Sequence, residues 1–262
     1  METFNFVFQW ILLVLVAFAL VPYATAWITS KLGHLSKEML VNNLGPNSQL
    51  FVGGLGVIIH EFGHASFALL FRHHVDKVQL LNIHYANTGT LGSVEHSWNQ
   101  RSIYQRLGNF FIGIAPYYMC SIVLLLLQKF LLKSNFDVST FTNADKLDLN
   151  LLNAGFMTVV DNIFSMYSTA SWGFIVLSVI VFTLVASTGY DLSDEDFHTV
   201  NQGIIPWVVV LIVLTIICLV LQQQSFLTMA VGTMIIFSIA FMVQAIVYIC
   251  LSIAVIKILS FL

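Results

Sequence analysis

Charge is what this chain has least of. Only 9% of its 262 residues are Asp, Glu, Lys or Arg, where a soluble domain carries about a quarter. So few charges cannot cover a water-facing surface, which excludes an ordinary soluble domain. There is no basic tract and the net charge is −3, so nucleic acid is not an expected partner. Cysteine is scarce as well. Cys120, Cys218 and Cys250 each sit inside an apolar run without the paired spacing of a metal site. They read as small buried hydrophobes, and a disulfide framework is not expected.

What the chain has is apolar length. Hydrophobic residues make up 58% and mean hydropathy is +0.88. Lipid is the solvent that suits such a composition, and a helix crossing its hydrocarbon core needs about 20 apolar residues. The first run, Phe4 to Trp27, ends near Ala24-Thr25-Ala26, which resembles a small-residue cleavage site. Glu2 precedes it with no Lys or Arg, and the run exceeds a signal-peptide core, so it is expected to be a retained span.

The expected fold class is an all-α polytopic membrane protein with about six transmembrane helices and a short strand-like segment after the second. Spans are expected near Phe6–Trp27, Leu50–Phe71, Leu107–Leu132, Ser171–Ser187, Ile205–Leu221 and Phe226–Ile253. The third is interrupted by Gly113 and Pro116. Ser30–Ser48 reads as a polar connection, Lys133–Asp148 as a polar loop, and Leu149–Met166 as an interfacial or re-entrant stretch. Between Arg72 and Arg106, Val75–Leu80 and Thr90–Val94 alternate loosely around Asn87-Thr88-Gly89, as short strands or a hairpin do. The chain reads as one domain, 1–262, of a multi-pass protein of the cell membrane. Lys and Arg divide evenly between alternate loops, so they assign no orientation.

The second span carries His60-Glu61-Phe62-Gly63-His64. On a helix, His60 and His64 lie one turn apart on one face, so both imidazoles reach a single metal ion. Zinc takes tetrahedral nitrogen, sulfur and oxygen ligands, and a catalytic site keeps one position for water. Glu61 is placed to approach that water without ligating, which suits a general base. Gly53, Gly56 and Gly63 share or flank this face and would let another helix or a substrate come close. Ionisable groups at mid-span are costly in hydrocarbon and therefore point to function. The blander alternative, a histidine that merely satisfies a polar contact, does not explain two histidines and a glutamate in register.

A third ligand is sought in the acidic segment Tyr190–Phe197. Asp196 and Asp191 are the candidates, in that order, and Asp194 and Glu195 are expected to face solvent. A structural role competes: Ser193 and Asp196 have the spacing of a capping box, and acids suit a helix start. His198 is a weaker alternative ligand. His73 and His74 read as an interfacial turn, and His84 and His96 as surface positions of the strand-like segment, with substrate contact the alternative.

His60-Glu61-Phe62-Gly63-His64-Ala65 in a hydrophobic span, followed by a strand-like segment and further spans, resembles the site-2-protease family of intramembrane zinc metalloproteases. The similarity runs from about Leu50 to Asp196. It implies Zn²⁺ as cofactor, His60 and His64 as ligands, Glu61 as the catalytic group, and an aspartate from a later span as third ligand. It also implies a membrane-protein substrate, cut within the lipid bilayer. That aspartate normally lies in Leu-Asp-Gly. Here Asp191-Leu192-Ser193 departs from the pattern, which marks a divergent member, while Gly113-Ile114-Ala115-Pro116 is similar to the family's glycine-proline element. The expected function is a zinc-dependent intramembrane endopeptidase, with water at the zinc activated by Glu61. The alternative is a catalytically inactive or transporter-like zinc-binding membrane protein. The sequence assigns no oligomeric state.

Overall fold

The computed structural model describes residues 2–85, 89–133 and 148–261. The Asn87-Thr88 turn and most of the Lys133–Asp148 loop lie outside them. Among the described residues, four helices are long and apolar enough to cross a membrane: Phe4–Leu44, Ile103–Leu132, Asp194–Val220 and Gln224–Leu259. Two shorter apolar helices, Gly54–Leu70 and Trp172–Ala186, accompany them. The fold is thus mainly helical and of membrane type, with one small sheet.

The first long helix comprises α1 (Glu2–Leu15), a π turn (Val16–Leu20) and α2 (Val21–Leu44). Pro22 explains the irregularity: it has no N–H and its ring crowds the carbonyl four residues back. That carbonyl, Phe18 O, instead accepts a hydrogen bond from Trp207 Nε1 at 2.8 Å. Ser30 to Leu44, expected as a connection, continues the helix. Its long polar side chains, Lys31, His34, Lys37 and Glu38, lie off the buried face, while Thr29, Gly33, Ser36 and Leu40 form a buried stripe. Small residues let membrane helices approach closely, and here Ser36 Oγ meets Ser252 Oγ at 3.4 Å. Gly45, at φ 81°, ends the helix.

The expected second span divides into α3 (Ser48–Phe51) and α4 (Gly54–Leu70). Strands β1 (His74–Gln79) and β2 (Ser93–Ser97) follow as an antiparallel pair. Ser102 caps α5 (Ile103–Leu132), its Oγ accepting from Gln105 N at 3.3 Å. Gly113 and Pro116 do not break α5, which is continuous. Leu149–Thr169, read as interfacial or re-entrant, forms α6, and Trp172–Ala186 forms α7. The next helix, α8, starts at Asp194 rather than near Ile205 and runs to Val220 with Pro206 inside it. The chain ends in α9 (Gln224–Leu259).

Helix α5 is the ruler of the bundle, packed between α4 and α8. Two glycines set its distance to α8. A side chain on Gly113 would strike the Asp196 carbonyl and Val200, and one on Gly203 would strike the Phe110 backbone. Phe110, Ile114, Tyr117, Cys120 and Leu124 of α5 are buried in the main core. Across its other side, Gly63 of α4 lies against Ala115 and Met119. One helix therefore fixes the spacing between the histidine pair and Asp196.

Candidate metal centre

His60, Glu61 and His64 are all buried within the bundle, each at most 9% exposed. Each histidine is oriented through Nδ1. His60 Nδ1 lies 3.1 Å from Gly189 O, and His64 Nδ1 lies 2.9 Å from Ile112 O. A carbonyl can only accept, so each Nδ1 carries the proton and each Nε2 presents a lone pair. The Ile112 carbonyl is available for a reason written in the sequence. Its helical partner would be the N–H of residue 116, and Pro116 has none. Gly189 O also accepts from Cys120 Sγ at 3.4 Å.

The two Nε2 atoms stand 3.2 Å apart. Asp196, whose side chain is 14% exposed, closes the group: Oδ1 is 3.0 Å from His64 Nε2 and Oδ2 is 3.7 Å from His60 Nε2. Among the described residues, His60, His64 and Asp196 form the one cluster able to hold a metal ion. Two facing lone pairs and a carboxylate repel one another unless a proton or a metal cation lies between them. Zinc bonds of about 2.0–2.1 Å require donor–donor edges of about 3.3–3.4 Å in a tetrahedron; the two histidine nitrogens stand 3.2 Å apart, while the 3.0 and 3.7 Å contacts run to different oxygens of Asp196. The three residues are therefore a donor set that could hold a metal ion, of the nitrogen and oxygen type that zinc takes.

No protein-family model, curated protein or solved structure matches this chain. The candidate site accordingly rests on its own geometry.

Asp196 also performs the competing structural role. Its Oδ2 accepts from Ser193 N at 2.7 Å while Ser193 Oγ accepts from Asp196 N at 3.2 Å, the reciprocal capping box at the start of α8. The other candidate, Asp191, is not in the cluster. Its carboxylate pairs with Lys37 Nζ at 2.7 Å and His34 Nδ1 at 3.2 Å, tying α2 to the segment before α8. Asp194 and Glu195 are exposed, as expected. His198 lies outside the cluster and bonds Gln202 at 3.0 Å.

The glycine face of α4 is filled by protein. A side chain at Gly56 would come within 2.5 Å of the Val185 carbonyl and Thr188 Oγ1, and Gly63 is covered by α5. The open side lies elsewhere. A cavity of about 510 Å³ is walled by His60, Glu61 and His64, by 89–94 and His96, and by Lys37 and Asp191. Gly92 presses directly on the glutamate: a Cβ there would lie 2.6 Å from Glu61 Cγ and 3.0 Å from its Oε1. The strand-like segment thus roofs the candidate site. Sequence reasoning missed Gly92, the Ile112 and Gly189 carbonyls, and the burial of His73. Pro116 was the only linear signal for any of them.

Proposed function

We propose that this protein is a zinc-dependent intramembrane endopeptidase. The observation that carries the reading is the convergence of two imidazole nitrogens and one carboxylate beside Glu61, on the wall of a cavity that Lys37, Asp191 and His96 also line. His60, His64 and Asp196 would hold the metal. Bound zinc would supply a Lewis acid and lower the pKa of a water to about 7. Glu61 accepts a proton as the water oxygen adds to the scissile carbonyl carbon. It then gives that proton to the nitrogen as the C–N bond breaks, leaving an amine and a carboxylic acid, which ionises by losing its own proton. The Nδ1–H bonds to Ile112 and Gly189 hold both ligand rings in the productive tautomer.

The cavity admits water to a buried carboxylate, and the roof supplies a place for an extended chain. β2 is paired on one edge only among the described residues, so its other edge can add a substrate strand. We further propose that α4 and α7, though short, lie within the bilayer and complete a bundle of about six spans. The exposed large residues of α7, namely Trp172, Phe174, Val176, Leu177 and Ile180, are all apolar, as a lipid-facing surface requires.

The test is metal content read beside cleavage. Purified parent protein is expected to hold about one zinc per chain, as a three-ligand catalytic site does, and to cut a membrane-anchored reporter. Replacing both His60 and His64 with Ala is expected to remove the metal and the cleavage together. Zinc unchanged in that variant refutes the site, while metal flux through proteoliposomes without cleavage would favour a transporter. Gly92→Ala probes the roof. It is expected to keep zinc but displace Glu61, lowering turnover by about 10- to 100-fold, the scale of an ångström-sized misplacement.

A further inference from the structure

His73 and His96 form a second histidine pair that the metal site does not use. His73 is 4% exposed. Its Nε2 lies 2.8 Å from Gln105 O, and its Nδ1 lies 3.1 Å from Nδ1 of His96. Trp98 stacks on the same ring at 6.1 Å. The Gln105 carbonyl can only accept, so His73 Nε2 carries the proton and a neutral His73 presents Nδ1 as a lone pair. His96 must then donate its own Nδ1–H. That leaves His96 Nε2 as a bare acceptor, with no hydrogen-bond partner among the described residues. Burial, and then the neighbouring His73, push His96 down to about 4, and burial lowers His73 too. Both rings are therefore neutral near pH 7, as this chain of donors needs.

His96 is also a wall of the cavity that contains Glu61, His60 and His64. An acceptor fixed there requires a donor from whatever occupies the cavity. An extended peptide offers one N–H per residue, and the roof around it is built from β2, the strand that carries His96. We propose that His96 Nε2 accepts a hydrogen bond from a main-chain N–H of the peptide bound in this cavity, and that His73 is the positioning residue that fixes which nitrogen faces it. The identity of the ligand as a peptide rests on the endopeptidase reading, but the binding itself needs no turnover.

The experiment measures binding in a Glu61→Gln background, in nanodiscs, so that cleavage plays no part. The probe is acetyl-Leu-Ala-Leu-Ala-Leu-amide, with a series in which one amide nitrogen at a time is methylated and its N–H lost. One member of the series is expected to bind about tenfold more weakly than the parent peptide, the scale of one hydrogen bond in a partly desolvated site. In His96→Ala that penalty vanishes, and the methylated and unmethylated peptides bind alike. His96→Gln restores it, because the carboxamide oxygen reaches the place of Nε2. His73→Asn, which keeps an acceptor for His96 Nδ1–H, retains the penalty, and His73→Leu loses most of it. A penalty of equal size with and without the His96 side chain overturns the proposal, as does absence of peptide binding. Failure of the endopeptidase reading shows separately, as missing zinc or missing cleavage in the parent protein.

Discussion

Glu61→Gln is expected to abolish cleavage while leaving the metal and the fold in place. Glutamine preserves the shape and the hydrogen-bonding oxygen but cannot take a proton, so the loss is the general-base contribution, about 10²- to 10⁴-fold. Glu61 is outside the ligand cluster, which is why zinc content should not change. The variant should also unfold no earlier than the parent, since it removes a charge that is costly to bury. Cleavage within tenfold of the parent would mean that another group moves the proton, and loss of zinc would mean that Glu61 is a ligand instead.

The second large effect concerns Asp196, where two roles can be separated by choice of replacement. Asp196→Asn keeps an oxygen for Ser193 N but turns an amide donor, without charge, toward His60 and His64. Zinc affinity is expected to fall at least a hundredfold, beyond the 10- to 100-fold typical of losing an outer-shell partner. Asp196→Ala should lose zinc equally and also forfeit the cap of α8, a further destabilisation of about 1 kcal/mol. Zinc titration measures the first loss. Thermal unfolding of the two variants without metal isolates the second. Asp191→Asn is the control: it loosens the Lys37 contact and should keep zinc, and a zinc-free Asp191→Asn protein would reopen the choice of third ligand.

This pairing explains what could and could not be read from the sequence. His60, Glu61 and His64 were legible because their geometry is local: one helical turn fixes it. The choice between Asp196 and Asp191 was not legible because both carboxylates have structural work. Asp191 holds Lys37 and His34, and Asp196 both caps a helix and faces the histidines. The first strand was legible as alternation, while the second, expected at Thr90–Val94, lies at Ser93–Ser97, and the continuation of α2 beyond Ser30 was not legible. Polarity there suggested a loop, but Thr29, Gly33 and Ser36 are small residues buried along the helix. The fifth span was expected from Ile205, but its helix begins at Asp194, where the capping-box spacing of Ser193 and Asp196 marked a helix start. The His73–His96 pair joins positions far apart along the chain, and no periodicity announces it.

Pro116 makes the two histidines unequal. In hydrocarbon a backbone carbonyl without a donor costs several kcal/mol, and Pro116 leaves such a gap in the ladder of α5 at Ile112. His64 fills it. His60 has no such duty, because Gly189 O keeps the Cys120 thiol when the ring is gone. With metal absent from both proteins, His64→Ala should therefore unfold at lower temperature than His60→Ala, by about 1–3 kcal/mol of stability. A descendant of this protein without the proposed activity would be free to lose Glu61 and His60. Position 64 would stay under selection for a hydrogen-bond donor for as long as Pro116 remained in α5.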